Sequence, residues 1–191
     1  LLALYELTFN EHWLKLCLQL TEHMIDNFWD EQHGGFFFTS NDHEALVART
    51  KEYFDNATPS GNSVAADLLA RLGKVLNRPD FTDKSERICQ SVTDYIRRFP
   101  SGFGRMLAAG DFLMGPSQEV ALAGKPDLFL PALRRHYLPR TVVAAGESDH
   151  IALLKDRDLV DGKPTAYLCE NYVCNKPTTE VSIFESLLEK P

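Results

Sequence analysis

Apolar residues recur at spacings of three and four along the first 115 residues, and this period predicts amphipathic helices that pack on one another. The stripe around which the rest is organised follows the polar turn 55–63, where Ser60 or Asn62 is suited to cap the helix. Short polar side chains meet helix amides that lack partners within the helix at this turn. The apolar members of the stripe are Val64, Ala65, Leu68, Leu69, Leu72 and Leu76.

The segments before this central helix are predicted to be helical as well. Residues 1–9 form the end of one helix, and Asn10 is suited to cap the next, which stops near Asp30. The run 34–39, two glycines followed by aromatic residues, predicts a strand or hairpin in a long loop, and residues 42–51 lead on to the polar turn. The face of the second helix predicted to be buried comprises Trp13, Leu16, Cys17, Leu20, Met24 and Phe28.

Two further helices are predicted after the central one. Asp80 or Thr82 is expected to cap a helix that ends at Pro100, and residues 103–113 predict a shorter helix. We interpret residues 1–115 as antiparallel helical hairpins, because no single pair of helices can bury its apolar face alone. The predicted buried stripe of the longer helix comprises Ile88, Val92, Tyr95, Ile96 and Phe99.

The period of the pattern changes after Pro116. Two buried strands with a helix between them predict a βαβ unit, whose strands are parallel. A third strand and a closing helix complete a small α/β appendage over residues 116–191. The predicted elements are strands 119–124, 141–146 and 166–169, a helix over 127–137, and a closing helix capped by Thr178 or Thr179.

Composition and charge narrow the classes of function. Of the 191 residues, 44% are hydrophobic and 25% charged, as in an ordinary globular protein. The net charge of -7, without a basic run, argues against nucleic acid as a partner. No apolar stretch approaches the roughly 18 residues that span a bilayer, and no leader precedes the first helix, so we predict no membrane association.

All four cysteines are predicted to be reduced. Cys17 and Cys89 fall in helical apolar stripes, where a free thiol behaves as a small hydrophobic residue. The spacing of Cys169 and Cys174 is neither that of a redox pair nor that of a zinc knuckle. A turn at residues 170–171 would bring the two together, but two structural thiols are favoured. We therefore predict no metal site, no cofactor and a cytoplasmic location.

Two groups of residues carry a resemblance to known families. Residues 29–37, Trp-Asp-Glu-Gln-His-Gly-Gly-Phe-Phe, are similar to the loop signature of N-acylglucosamine 2-epimerase-like and six-hairpin glycosidase-like proteins. A second group resembles the C-terminal part of the spermatogenesis-associated, thioredoxin-domain-containing protein family. The match covers nearly the whole of this chain. It covers only the C-terminal end of the family architecture. The second group comprises residues 51–63, 103–107 and 166–169 with Cys174 and Pro177.

The resemblance implies a fold class, a ligand class and partners. The fold is expected to be mainly α, with a partial α/α toroid of the six-hairpin glycosidase-like type over residues 1–115 and the α/β appendage over 116–191. The expected ligand is a carbohydrate-like small molecule. The expected partners are the missing N-terminal half of the toroid and a thioredoxin-like domain of the same protein. Because this chain has neither that domain nor a Cys-x-x-Cys motif, no redox activity is assigned to it.

The candidate site is placed at the central turn, which would lie at the mouth of such a toroid. Glu52 and Asp55 are the candidate catalytic carboxylates of a glycosidase-like reaction, provided that burial raises the pKa of one of them. An epimerase-like reaction would need bases on opposite faces of an acidic carbon, and His33 is the best-placed histidine. The predicted ligand-binding residues are Asn56, Ser60, Asn62, Ser63 and His33.

Each of these assignments has a structural alternative. The turn then caps a core helix without binding any ligand, and Glu52 and Asp55 are solvated or capping carboxylates. In that case the chain is a non-catalytic structural or interaction module that docks a partner domain. The turn at Gly124, between a predicted strand and a predicted helix, is suited to weak anion binding.

Overall fold

A computed structural model describes residues 1–42 and 48–189. Part of the predicted link 42–51 and the last two residues of the predicted appendage therefore lie outside the described residues. Two short 3₁₀ turns, Pro100–Gly102 and Pro126–Leu128, accompany the regular elements. These elements are α1 (Leu2–Thr8), α2 (Glu11–Phe28), α3 (Gly61–Leu76), α4 (Pro79–Ser91), α5 (Thr93–Arg98), α6 (Gly104–Met114), β1 (Gln118–Ala123), α7 (Leu130–Arg135), β2 (Thr141–Gly146), β3 (Thr165–Glu170), β4 (Val173–Cys174) and α8 (Val181–Leu188).

The chain divides into two compact units, each with its own buried apolar side chains. We call the first the helical unit and the second the sheet unit. Among the described residues, none of the helices combines the length and the apolar content needed to cross a bilayer. The helical unit comprises Leu1–Tyr5, Asn10–Gly73 and Arg78–Met114, and the sheet unit comprises Glu6–Phe9, Lys74–Asn77 and Gly115–Pro191.

Side-chain caps fix the starts of two helices in the helical unit. Asn10 Oδ1 accepts a hydrogen bond from His12 N at 3.0 Å at the start of α2. Ser60 Oγ accepts a hydrogen bond from Ser63 N at 3.1 Å at the start of α3. Both caps were predicted, because a short polar side chain offers an acceptor to amides that have none within the helix. Of the two residues proposed for α3, Ser60 is the one that caps.

The buried face of α2 differs from the predicted one. Leu14, Cys17 and Thr21 are buried, whereas Leu20 is exposed. Thr21 is a polar residue that the pattern places outside, but its hydroxyl donates to Cys17 O at 2.8 Å and is satisfied within the helix. The helix can therefore bury a threonine without leaving its hydroxyl group unsatisfied.

Three local predictions for the helical unit are wrong. In the described chain, residues 34–39 contribute an isolated bridge at Phe36 rather than a strand, because both glycines at the start of this run have positive φ (71° and 79°). Asp80 pairs with Arg78 through two hydrogen bonds of 2.8 Å instead of capping α4. The helix predicted to reach Pro100 is interrupted at Val92, where φ is -115° and ψ is 6°.

Over its described residues, up to 189, the sheet unit contains four strands in the order β2-β1-β3-β4. β1 and β2 are parallel, with Gln118 opposite Thr141 and Ala123 opposite Gly146, which confirms the predicted parallel pair. β3 runs antiparallel to both β1 and β4, so the sheet is mixed. The core of this unit comprises Val120, Leu122, Phe129, Ala132, Leu133, Ala145, Ala166, Leu168, Phe184 and Leu188.

The predicted fold class, a mainly α partial toroid of the six-hairpin glycosidase-like type with an α/β appendage, is wrong. Helices coexist with a four-stranded mixed sheet, and no toroid of helical hairpins is seen in the residues that the structure describes. Within residues 1–115, where the toroid was predicted, α1 and α5 have 7 and 6 residues, which is about two turns each. Helices this short offer little length for pairing in a helical hairpin.

Candidate functional site

Asp55 joins the starts of two helices in the helical unit. Its Oδ1 accepts a hydrogen bond from Ser60 N at 2.9 Å, and its Oδ2 accepts one from Arg105 N at 2.7 Å. Partial burial would raise the pKa of this carboxyl, but the hydrogen bonds from Ser60, Ser63, Arg105 and Met106 outweigh burial and lower it. Asp55 is therefore ionised near neutral pH and occupied by backbone amides, which suits a structural carboxylate better than a proton donor.

Asn62 holds two loops of the helical unit together. The residue is 3% exposed, and its Oδ1 accepts a hydrogen bond from Phe36 N at 2.6 Å. Its Nδ2 donates to Phe36 O at 3.0 Å and to Glu52 O at 2.9 Å. Both ends of the amide are thus used by backbone groups, so Asn62 shapes the site by fixing residues 36 and 52.

The remaining residues predicted at the turn are divided between core and surface. Ser60 and Ser63 are buried, and their Oγ atoms lie 2.8 Å apart. Asn56 is exposed, and its backbone amide donates to Thr58 O at 3.1 Å. The structure therefore brings Asp55, Ser60 and Ser63 together as a capping cluster, and it leaves Asn56 on the surface of the turn.

His33 belongs to a neighbouring loop that a buried ion pair organises. Lys51 Nζ lies 2.6 Å from Asp30 Oδ2 and also donates to Gly34 O. The His33 side chain is 74% exposed, with Nδ1 at 3.3 Å from Asp30 Oδ2. Burial opposes ionisation of Asp30, but the hydrogen bonds from Lys51 and from the amides of His33 and Gln32 lower its pKa well below the usual range. This pair spans 21 positions, so no local pattern in the sequence signals it.

A pocket of about 250 Å³ lies beside the central turn, and we call it the aromatic pocket. Of the predicted site residues, Glu52 and Asn62 line it, while Asp55 and His33 do not. Glu52 is exposed, and its carboxylate has no hydrogen bond or ion pair with the described residues. The described lining residues are Met24, Phe28, Phe36, Phe37, Phe38, Glu52, Gly61 and Asn62.

A second pocket, of about 530 Å³, lies in the sheet unit at the carboxyl ends of the parallel strands β1 and β2. Gly124 lines it, at the turn for which weak anion binding was predicted. The charged residues that line this pocket argue against anion binding, because four of them are carboxylates and one is an arginine. Among the described residues, no set of three or more His, Cys, Asp or Glu side chains could hold a metal ion. The charged lining residues are Glu147, Asp149, Asp156, Arg157 and Asp158.

A buried carboxylate that the sequence did not single out lies on β1 of the sheet unit. Glu119 is fully buried, and its Oε1 lies 3.2 Å from Lys74 Nζ. Its Oε2 accepts a hydrogen bond from Tyr172 N at 3.0 Å. Burial and the nearby Glu119 carboxylate raise the pKa of the Tyr172 phenol to about 12, and this phenol donates to Lys74 O at 2.6 Å. The signal in the sequence is a lone Glu at the start of a predicted buried strand, 119–124.

Cys169 and Cys174 form a disulfide across β3 and β4, so the prediction of two reduced thiols is wrong for this pair. A turn does bring the two cysteines together, but it is centred on Asn171 and Tyr172, where φ is 50° and 63°, rather than on residues 170–171. Cys17 and Cys89 are free, as predicted. The cytoplasmic location remains a prediction, and it has lost the support that four reduced cysteines gave it.

No protein-family model matches the chain. The chain is 28% identical over 201 residues to spermatogenesis-associated protein 20 of Homo sapiens, and the alignment covers 98% of this chain and 26% of that protein. The protein of the same name in Rattus norvegicus is 27% identical over 203 residues, covering 100% of this chain and 26% of the relative. An uncharacterised protein of Caenorhabditis elegans is 24% identical over 199 residues, covering 100% and 27%.

These alignments run along nearly the whole of this chain but along a limited part of each relative. The chain spans about a quarter of the length of the curated relatives it matches. The names of these relatives state neither a ligand nor a reaction. The similarity therefore supports the resemblance to the spermatogenesis-associated protein family that the sequence motifs carry.

Proposed function

We propose that the helical unit binds a carbohydrate-like ligand in the aromatic pocket without transforming it. The observation that carries this proposal is the exposed carboxylate of Glu52 beside a wall made largely of phenylalanine rings. The C–H faces of a sugar pack on aromatic rings, and its hydroxyls donate hydrogen bonds to a carboxylate. A mostly apolar pocket with one or two fixed polar groups is the usual form of a small-molecule site.

Binding is favoured over catalysis because the second group that catalysis needs is absent from the described wall of the pocket. A glycosidase places two carboxyl groups on opposite sides of the scissile bond. Asp55, the predicted partner of Glu52, accepts hydrogen bonds from the starts of α3 and α6 and does not line the pocket. His33, the predicted epimerase base, faces Asp30 instead. A glycosidase-like or epimerase-like activity of this chain therefore has no support from these side chains.

The test is saturation-transfer NMR on the intact protein with glucose and N-acetylglucosamine as probes. We expect transfer to the ring protons of at least one sugar, and a loss of at least fivefold in affinity in Phe38→Ser and in Glu52→Gln. Phe38 is exposed, so its truncation should leave the fold intact. Glu86→Gln is the matched control, because Glu86 is exposed on α4 and does not line this pocket. Equal signals in all variants, or no signal with either sugar, would overturn the proposal.

A second candidate is a non-catalytic interaction module, and an apolar groove of about 380 Å³ between α4, α5 and α6 favours it. Leu107 and Met114 line this groove and are exposed. The relatives are about four times as long as this chain, so the occupant we propose is another domain of such a longer polypeptide. Hydrogen exchange along α6 should then be slower in a full-length relative than in this chain. Equal exchange would exclude the groove as the docking surface.

A further inference from the structure

We propose that the Cys169–Cys174 disulfide of the sheet unit is a site of thiol–disulfide exchange with external thiols. The two cysteines are directly opposite each other on β3 and β4, and four residues separate them along the chain. Asn175 N donates to Leu168 O at 2.9 Å, so backbone bonding already closes this hairpin. A disulfide stabilises a fold chiefly by closing a long loop in the unfolded chain. A bridge across so short a loop stabilises the fold less in this way than a bridge across a long one, and the hairpin it closes is already held by backbone hydrogen bonds.

The two sulfur atoms differ in access, and this difference assigns their roles. Cys169 is 1% exposed on β3, in the interior of the sheet. Cys174 is half-buried on β4, a strand of two residues at the edge of the described sheet. An incoming thiolate must approach along the axis of the S–S bond and can do so from the side of the edge strand. Cys174 is therefore the sulfur that is attacked, and Cys169 is the one that leaves.

The leaving sulfur lies beside a buried ion pair. Glu119 is directly opposite Cys169 in the antiparallel pair of β1 and β3, so the two side chains share one face of the sheet, roughly 5 Å apart at Cβ. The carboxylate of Glu119 is fixed by Lys74 and by Tyr172 N. Its negative charge opposes the formation of a thiolate on Cys169, while the ammonium group of Lys74 favours it. Glu119 and Lys74 are positioning residues that set how readily this sulfur departs.

Complete reduction of the Cys169–Cys174 disulfide consumes two external thiols of the glutathione type. The first, as a thiolate, forms a new S–S bond to Cys174, and the Cys169–Cys174 bond breaks with its electron pair on Cys169, which then takes a proton from solvent. The second thiolate attacks the sulfur of the first in the mixed disulfide, and Cys174 leaves with the electron pair and is protonated. The protein disulfide gains two electrons and two protons, and the two external thiols become one disulfide.

The test compares two variants that remove the bridge equally. Cys169→Ser leaves Cys174 free and Cys174→Ser leaves Cys169 free, so any effect of losing the bridge on folding is shared. The folded variants are incubated with oxidised glutathione and the adducts are counted by mass spectrometry. We expect at least tenfold more adduct on Cys174 than on Cys169. Cys89 is an internal control, because burial raises the pKa of its thiol to about 11 and it should remain unmodified. Equal labelling of Cys174 and Cys169 would overturn the assignment of roles.

The wild-type bridge supplies the second measurement. With millimolar reduced glutathione and no denaturant, we expect it to open faster than the protein unfolds, as followed by alkylation of the released thiols. Glu119→Gln should speed this reduction severalfold, because it removes the negative charge beside the departing sulfur and leaves the positive charge of Lys74 without an opposing carboxylate there. A bridge that resists glutathione until denaturant is added would overturn the proposal. An unchanged rate in a folded Glu119→Gln protein would overturn Cys169 as the leaving sulfur.

Discussion

The helical unit and the sheet unit each contain a buried polar side chain that fixes a neighbouring loop or turn, Asn62 in the first and Glu119 in the second, but the two side chains use different chemistry. Asn62 fixes the loops around the aromatic pocket through three hydrogen bonds to backbone atoms. Glu119 fixes the β3–β4 turn through an ion pair with Lys74 and a hydrogen bond from Tyr172 N. The first arrangement is neutral and depends on amide geometry, whereas the second pairs a buried carboxylate with a partly exposed ammonium group.

This difference decides what each turn can tolerate and what it can do. A neutral amide that bonds to backbone donors and acceptors has no replacement of the same shape with the same polarity. Replacing both partners of a buried ion pair by apolar side chains can leave the stability nearly unchanged, whereas removing only one partner lowers it strongly. A charge pair also changes the electrostatic environment of neighbouring reactive groups, such as the sulfur of Cys169. A neutral amide has a weaker effect of this kind. The Asn62 turn is therefore suited to shape a pocket, and the Glu119 turn is suited to tune chemistry.

The largest effect is expected for Asn62→Asp. The carboxylate can still accept from Phe36 N, but it turns an acceptor toward the carbonyl oxygens of Phe36 and Glu52 in a buried position. We expect the free energy of unfolding to fall by about 4 kcal/mol in urea titrations at neutral pH. Asn56→Asp makes the same change on the exposed part of the turn and should stay within about 0.5 kcal/mol of the wild type. A small loss at Asn62 would show that its bonds do not hold the loops.

The second prediction tests the ion pair. Lys74→Met leaves Glu119 charged and buried and should lower the free energy of unfolding by about 3 kcal/mol. The double variant with Glu119→Met should recover at least half of that loss, because the isolated charge is gone. Lys15→Met removes an exposed partner of Glu11 and should change stability by less than about 1 kcal/mol. If the double variant were no better than Lys74→Met, the proposed contrast between the two turns would not hold.

The third prediction concerns Asp55→Asn, which should lower the free energy of unfolding by about 2 kcal/mol at pH 7. An amide keeps one acceptor but presents an NH₂ group to one of the two backbone amides that Asp55 now binds. Because the pKa of Asp55 is lowered in the folded protein, its stabilisation is present above its unfolded pKa of about 3.9 and is lost as pH falls through the folded pKa. The gap between wild type and variant should therefore narrow below about pH 4. Urea titrations at pH 7 and at pH 3 measure this change, and a constant gap would contradict it.

Sequence reasoning found the local features and missed those that depend on distant pairing. Helix caps such as Asn10 and Ser60 follow from residues close together in the chain, and the parallel pair of β1 and β2 follows from the strand–helix–strand order of the elements; both were predicted. The Asp30–Lys51 pair spans 21 positions and the Lys74–Glu119 pair spans 45, so neither leaves a local pattern. For the same reason the helical period did not reveal how the helices pack, and the toroid that the family resemblance implied is not seen in the described residues.

In the candidate site, too, the features set by neighbouring residues were predicted and those set by distant residues were not. The sequence located the polar turn, and capping explains Ser60 and Ser63. From the sequence, Asp55 is a candidate catalytic carboxylate, because a carboxylate beside a polar turn is expected to be accessible to a ligand. The two amides that occupy it come from the starts of α3 and α6, and the second lies 50 positions away. The aromatic pocket depends on rings from two separate segments, so it could be recognised only once the fold was known.

The smallest effect on stability is expected at the pocket itself, and it separates binding from folding. Glu52→Gln and Phe38→Ser change exposed side chains, so each should keep the free energy of unfolding within about 0.5 kcal/mol of the wild type. Backbone bonds to both residues are retained, since Asn62 donates to Glu52 O and Phe38 N donates to Thr50 O. A folded variant that no longer binds sugar would place the function in the pocket wall. If the free energy of unfolding fell by several kcal/mol in either variant, these side chains would instead stabilise the same loops as Asn62.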